Sequence, residues 1–342
     1  MRYLIFGSGA VGSYLGIRLA LSGQTVSFLT REHYLPNINK HGFTITGDGP
    51  PGSLPRPSIY SDPVQAIRTE KPDFIMLTVK AYDVAEAASI LAPQLSQPQT
   101  VVSFLNGINN EATLAEKLGI GMVLPATMTT AVQSPEPGVI RVERVRGIGI
   151  AGDHPRLPAV HHELQAAGFL VRHYRDPERM KWSKLLTNIV SNATSAILDW
   201  TPRQIYADPK MANLEVEALR EAVRVMARSG FQPHNLPKVQ VALLGRAIFL
   251  PTAITRWLLG QIVSKGRGAK KPSFQYDIGR GRTEVEWLNG AVVKRGAALG
   301  VPTPVNHLLT RTLLELVHNQ RPHQDFINQP QNLLQLYAAQ AT

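Results

Sequence analysis

Two stretches of this sequence carry residues whose types and spacing could do chemistry. In the first, Gly7-Ser8-Gly9-Ala10-Val11-Gly12 follows a short apolar run, Tyr3-Leu4-Ile5-Phe6. Glycines at that spacing, between a strand and a helix, suit a pyrophosphate. Gly7 permits a tight turn, Gly9 lets the backbone approach an anion, and Gly12 lets the helix pack on its strand. The anion then sits on unpaired N–H groups at the positive end of the helix. A plain strand-turn-helix unit is the alternative. In the second stretch, Lys184, Asn188 and Asn192 recur every four residues within Lys184-Leu185-Leu186-Thr187-Asn188-Ile189-Val190-Ser191-Asn192. Each step of four turns roughly 40° around a helix, so the three share one stripe. An ammonium and two amides among apolar neighbours face either a ligand that satisfies them or water.

The surrounding elements must hold these groups. A helical pattern (Val11, Tyr14, Leu15, Leu19) follows the glycines, and Thr25 to Leu29 reads as the next strand. Where that strand ends, an Asp or Glu would suit a free ribose hydroxyl, but the chain has Thr30-Arg31. A guanidinium can grip a 2′-phosphate through two parallel hydrogen bonds, so NADP(H) is favoured over NAD(H). A solvated arginine beside Glu32 is the alternative. Phe74 to Val79 is a continuous apolar run, as in a parallel strand covered on both faces, and it ends at Lys80. Thr100 to Leu105 delivers Asn106-Gly107 in the same way. Both therefore fall at the carboxyl edge of a sheet, where open α/β folds place ligands.

Further on, Thr129 to Gln133 and Val139 to Glu143 read as antiparallel, Ile148 to Ala151 as another strand, and Phe169 to Val171 as the last. Helical periodicity then takes over, at 179–198, 211–229, 283–299 and 306–318. The pattern predicts an α/β N-terminal Rossmann domain with a mostly parallel sheet (1–175) and an all-α C-terminal domain (176–325). A tail (326–342) rich in Gln, Asn and Pro is expected to be loosely held.

The 342 residues include no cysteine, which excludes disulfides, thiolate metal sites and a cysteine nucleophile. No metal site is expected. The sequence opens directly on a core strand, so no signal peptide is expected and the cytoplasm is the predicted location. The net charge of +11 raises nucleic-acid binding, but no helix-turn-helix, zinc-finger or aromatic RNP pattern accompanies it. A basic surface with a site for anionic ligands is the preferred reading. The apolar segment from Val241 to Val263 is interrupted by Arg246, Pro251 and Arg256. It reads as two amphipathic helices meeting at Pro251, packed on the domain or on another subunit, with no integral membrane segment. An interfacial membrane helix and a homodimer both stay open.

Over nearly its whole length the chain resembles the ketopantoate reductase (2-dehydropantoate 2-reductase) family. Five motifs carry the resemblance, in order. They are the glycine turn, Leu77-Thr78-Val79-Lys80-Ala81, Asn106-Gly107, the Lys184 to Asn192 segment, and Gly281-Arg282-Thr283-Glu284-Val285-Glu286-Trp287-Leu288-Asn289-Gly290. The resemblance implies reduction of a 2-oxo acid with NADPH, making pantoate for coenzyme A synthesis. It implies an active site in the cleft between a Rossmann and a helical domain. Carried over by position, Lys184 is the general acid and Glu284 the carboxylate that orients the substrate hydroxyl. Lys80 and Asn106 lie near the nicotinamide, Asn188, Asn192 and Asn106 meet the substrate, and Ser273 meets its carboxylate. Arg31 contacts the adenosine phosphate. The chemistry is consistent, because a ketone oxygen that gains negative charge needs a proton donor and a polarising cation, and an ammonium is both.

Departures from the family pattern fall on the substrate side. Asp199-Trp200-Thr201-Pro202 stands where a further asparagine is common, and Ser273 follows Pro272 rather than a serine. The interval from Asp277 to Glu284 is one residue short, and residues 241–271 are bulkier and more basic than the fold needs. The rivals are a reductase of the same architecture acting on another 2-oxo or 3-hydroxy acid, and an NADPH-binding sensor or membrane-associated protein without turnover.

Overall fold

The computed structural model describes residues 1–266 and 273–340. By internal contacts the chain divides into two units. The first holds Met1–Leu105, Asn109–Met180 and Leu236–Val239, and the second Asn106–Ile108, Lys181–Asn235 and Gln240–Thr342.

The first unit is α/β. Its elements in order are β1 (Arg2–Phe6), α1 (Ala10–Leu21), β2 (Thr25–Leu29), α2 (Leu35–His41), β3 (Phe43–Gly47), β4 (Gly52–Leu54) and β5 (Ser58–Tyr60). Then come α3 (Pro63–Glu70), β6 (Phe74–Leu77), α4 (Val84–Leu91), β7 (Thr100–Ser103), α5 (Asn110–Leu118) and β8 (Val123–Met128). β9 (Ala131–Glu136), β10 (Val139–Arg144), β11 (Ile148–Ala151), α6 (Leu157–Ala166) and β12 (Val171–Tyr174) complete it. Eight strands form one sheet in the order β12-β11-β8-β7-β6-β1-β2-β5, and β4-β3-β10-β9 form a second. In the large sheet only the β8–β11 pair is antiparallel. Alternation along β1 and β6 explains their unbroken apolar runs. Tyr3, Ile5, Phe74 and Met76 enter one core, and Leu4, Phe6, Ile75 and Leu77 enter the other, on the opposite face.

The second unit is helical. After α7 (Pro177–Ile189) come α8 (Asn192–Leu198), α9 (Pro202–Ala207), α10 (Pro209–Arg228), α11 (Val241–Ala247), α12 (Thr252–Gly266), α13 (Asn289–Leu299), α14 (Pro304–Val317) and α15 (Pro330–Ala339). Glu221 of α10 is buried and accepts hydrogen bonds from the first N–H groups of α14, at Val305 (2.8 Å) and Asn306 (2.9 Å). The carboxylate thus answers orphan donors at the positive end of that helix. Among the described residues no helix is long and apolar enough to cross a membrane.

Several boundaries differ from expectation, each for a physical reason. The predicted helix over 179–198 is two helices, broken at Ser191, whose φ is +55°. The helix expected from Thr283 begins at Asn289, after a short 3-10 turn at Val285–Trp287. The last strand is Val171–Tyr174, because Gly168 (φ +84°) still belongs to the turn that returns the chain to β11. The described part of the tail, 326–340, is anchored rather than loose. Phe326 and Leu333 are buried, and Asn328 donates its N–H to Leu198 O (3.0 Å) and accepts from Trp200 Nε1 (2.8 Å). α11 and α12 do meet at Pro251, while most of the loop expected from Lys265 to Ser273, Pro272 included, lies outside the described residues.

Candidate active site

In the first unit the glycine turn links β1 to α1. Gly7 has φ +109°, a conformation that side chains with a Cβ rarely adopt. A Cβ at Gly12 would stand 2.2 Å from the Gly7 carbonyl oxygen and 2.4 Å from Thr78 Oγ1, so only glycine lets α1 start this close to β1. At Gly9 a Cβ meets no protein atom within 4 Å, and the residue faces open space. The turn is tied down by Ser8 N donating to Leu29 O (2.9 Å) and Ser13 Oγ donating to Ser8 O (2.9 Å). Thr78 Oγ1 adds a 2.6 Å bond to Gly7 O. Thr78 belongs to one of the five motifs, with no role expected of it; its signal was a lone hydroxyl within the apolar run Phe74 to Val79.

The mouth of this turn fits an anion. α1 has no side-chain cap and no acidic residue in its first turn, which leaves its positive end open to an anion. Ser8 Oγ is buried without a hydrogen-bond partner among the described residues. Arg31, two residues past the end of β2, is exposed, and no ion pair joins it to Glu32 among the described residues. Lys80 is half-buried, three residues past the end of β6, in extended backbone that leads into the turn before α4.

In the second unit, Lys184 and Asn188 lie one turn apart on α7, both half-buried. Asn188 Nδ2 donates to Asn106 Oδ1 (3.0 Å). Asn106 is held by its neighbours: Ile108 donates its N–H to Trp287 O (3.0 Å), and a Cβ on Gly107 (φ +88°) would lie 2.6 Å from that same oxygen. Glu284 opens the 3-10 turn that carries Trp287, and is only 7 % exposed. This one turn therefore presents Glu284 and fixes Asn106.

Asn192 does not continue the Lys184–Asn188 stripe, because the break at Ser191 reorients it to the first position of α8. There it is 6 % exposed and holds the turn that begins at Ser273. Its Nδ2 donates to Ser273 Oγ (3.3 Å), and its Oδ1 accepts from Phe274 N (3.2 Å). At the other end of α8, Asp199 accepts from the Gln275 side chain. The Ser273–Tyr276 turn is thus held at both ends of one short helix, and the Asp199 that departs from the family pattern is part of that clamp.

Behind the break sits Glu215 of α10, 1 % exposed. It accepts hydrogen bonds from Ser191 N (2.7 Å) and from the Thr194 hydroxyl. Burial pushes its carboxyl up to about 7, against the opposing pull of the Thr194 and Ser191 bonds. Burial and the nearby Glu215 also push the Tyr206 hydroxyl well above its usual range. Sequence reasoning missed Glu215. The signal was its place on the apolar stripe Met211, Glu215, Ala218, Ala222, where an acid is out of pattern.

With this geometry in place, the comparisons with known proteins are specific. The family model described as ketopantoate reductase PanE/ApbA matches residues 3–155, and its C-terminal companion matches 176–317. The chain belongs to the ketopantoate reductase PanE/ApbA family. A 2-dehydropantoate 2-reductase from Halobacterium salinarum is 29 % identical over 327 residues, 93 % of this chain and 98 % of the relative. The crystal structure of a PanE/ApbA family ketopantoate reductase from Ralstonia eutropha is similar at 25 % identity and a TM-score of 0.79, covering 95 % of this chain and all of that one. At 19 % identity the fold is shared with a D-mandelate dehydrogenase solved with NADH and anilino(oxo)acetate (TM-score 0.74; 93 % and 99 % covered).

Proposed function

We propose that this protein is a cytoplasmic, NADPH-dependent reductase of a 2-oxo acid, with 2-dehydropantoate as substrate and pantoate as product on the way to coenzyme A. The observation that carries the reading is a linked set of side chains within one unit, on and beside the helix that bears Lys184. Lys184 and Asn188 share a helix face, Asn188 is bonded to Asn106, and the Glu284 turn holds Asn106. Eight curated relatives, 23–29 % identical to this chain, each carry the name 2-dehydropantoate 2-reductase, which supports the reading.

In this account Gly7, Ser8, Gly9, Ala10, Val11 and Gly12 would hold the pyrophosphate, Arg31 would grip the 2′-phosphate, and Lys80 and Asn106 would border the nicotinamide. When bound, the nicotinamide supplies the hydride that reduces the ketone carbon. Lys184 polarises the ketone oxygen and donates a proton to it as negative charge develops. Glu284 accepts a hydrogen bond from the resulting hydroxyl. Asn188 and Asn192 orient the acid without competing charge, and Ser273 donates to its carboxylate.

A second reading, another 2-oxo acid on the same architecture, is favoured by one observation. Asp199, standing where a substrate-facing asparagine is common, is spent on Gln275 instead. A steady-state screen separates the two. NADPH oxidation is followed with 2-dehydropantoate and with bulkier aryl 2-oxo acids, in the wild type and in Arg31→Ala. The first reading expects the highest kcat/KM with 2-dehydropantoate, and a KM for NADPH raised at least tenfold by Arg31→Ala with little change for NADH. A higher kcat/KM with an aryl acid selects the second reading, and an equal effect on both nucleotides removes Arg31 from phosphate recognition.

A further inference from the structure

The segment around α11 and α12 is not used by the proposed chemistry, and its surface is unlike the rest of the molecule. Of the eleven large hydrophobic residues exposed on the described chain, five fall between residues 243 and 257: Leu243, Phe249, Leu250, Ile254 and Trp257. Phe249 is 49 % and Trp257 63 % exposed. Ile254 and Trp257, three residues apart on α12, share one side of that helix, and Leu250 lies in the turn that leads into it. Monomeric soluble proteins rarely gather apolar side chains in this way without a use for them.

The corner that displays them is built, not frayed. Arg220 of α10 donates from Nε to Ile248 O (2.7 Å), from Nη2 to Leu250 O (3.0 Å) and from Nη1 to Thr252 Oγ1 (3.3 Å). Thr255 Oγ1 adds bonds to Ala247 O (3.0 Å) and Leu250 O (3.1 Å). One buried-side guanidinium and one hydroxyl thus satisfy the carbonyls between the two helices and fix Phe249 and Leu250 outward.

Charge identifies what the face fits. From Val223 to Tyr276, 54 consecutive residues include nine Lys and Arg and no Asp or Glu, in a chain whose net charge is +11. Arg246 and Arg256 lie within the apolar segment itself, and the Arg224 guanidinium stands 5.9 Å from the centre of the Phe249 ring. The nearby acid on α10, Glu217, is paired with Arg224 (2.5 Å) and Arg220 (3.5 Å). Two copies meeting on this face would bring like charges together. Phe249 and Trp257 could stack on nucleic-acid bases, but Leu243, Leu250 and Ile254 would then stay exposed to water. An apolar ridge with an aromatic residue at its edge and cations around it matches an anionic lipid surface.

We propose that the α11–α12 corner is a docking face for anionic lipid, on which Phe249, Leu250, Ile254 and Trp257 enter the headgroup boundary while Arg246 and Arg256 meet the phosphates. Binding would be peripheral and reversible.

The test is co-sedimentation of the full chain with sucrose-loaded vesicles of phosphatidylcholine alone or mixed with phosphatidylglycerol. Sedimentation velocity without vesicles runs alongside. The proposal expects binding to the mixed vesicles at least tenfold tighter than to phosphatidylcholine. It expects a tenfold or greater loss in Leu250→Glu/Trp257→Glu, and a similar loss in the charge variant Arg246→Gln/Arg256→Gln, which leaves the apolar ridge intact. An unchanged thermal unfolding midpoint certifies either variant, and neither readout depends on turnover. Equal binding of wild type and a folded variant would overturn the proposal. So would no binding to either vesicle, or a dimer that Leu250→Glu/Trp257→Glu dissociates in the absence of vesicle binding.

Discussion

Glu215 is a buried acid that ties down the break between α7 and α8. Its carboxyl receives the Ser191 N–H and the Thr194 hydroxyl at the point where α7 gives way to α8. Below about pH 4.5 it is protonated in folded and unfolded chains alike. Between there and about pH 7 the unfolded side chain releases its proton while the folded one retains it. Stability therefore falls with rising pH across that window, by on the order of 3 kcal/mol, and levels off above it. Glu215→Gln should remove this slope. Its stability relative to wild type, followed by urea unfolding at pH 4.5, 6 and 8, should rise with pH. A difference constant with pH would mean that the carboxyl ionises as freely in the fold as outside it. At this scale the sequence was partly legible. Lys184 and Asn188 could be placed on one stripe because i and i+4 residues share a helix face whatever surrounds them. Asn192 could not, because the αL residue that redirects it is set by Glu215, distant in sequence.

At the scale of elements, the glycine turn shows two different uses of the same residue. Gly12 is sterically required, since a Cβ there meets backbone and a threonine hydroxyl well inside contact distance. Gly9 has ordinary backbone angles (φ −73°) and open space beside it. Gly12→Ala should therefore cost about 3 kcal/mol of stability. Gly9→Ala should unfold within about 0.5 kcal/mol of wild type yet bind NADPH at least tenfold more weakly, because its methyl occupies the space proposed for the pyrophosphate. Chemical denaturation and fluorescence titration separate the two effects, and unimpaired NADPH binding by Gly9→Ala would argue against that placement. The strand-turn-helix unit was readable because glycine spacing and apolar periodicity are local. The start of α13 was not. Thr283 to Leu288 has a helical pattern, but Leu288 takes a non-helical conformation (φ −112°, ψ −94°), and the turn before it is committed to Gly107 and Ile108.

For the whole molecule, composition and alternation were enough to give a mostly parallel α/β unit followed by a helical one. The unbroken apolar runs of β1 and β6 require cover on both faces, and the two cores supply it. Tertiary bonds decided what periodicity could not. The tail is polar in composition, yet Trp200, Leu198 and the buried Leu333 anchor it. The central claim is that an ammonium on α7 protonates the oxygen of a 2-oxo acid during its reduction. The direct measurement is NADPH oxidation with 2-dehydropantoate by the wild type and Lys184→Ala, with NADPH affinity measured in parallel. The account expects kcat to fall by at least 10²-fold in the variant, as for loss of a general acid, with NADPH affinity retained. Turnover within a few-fold of wild type would contradict it.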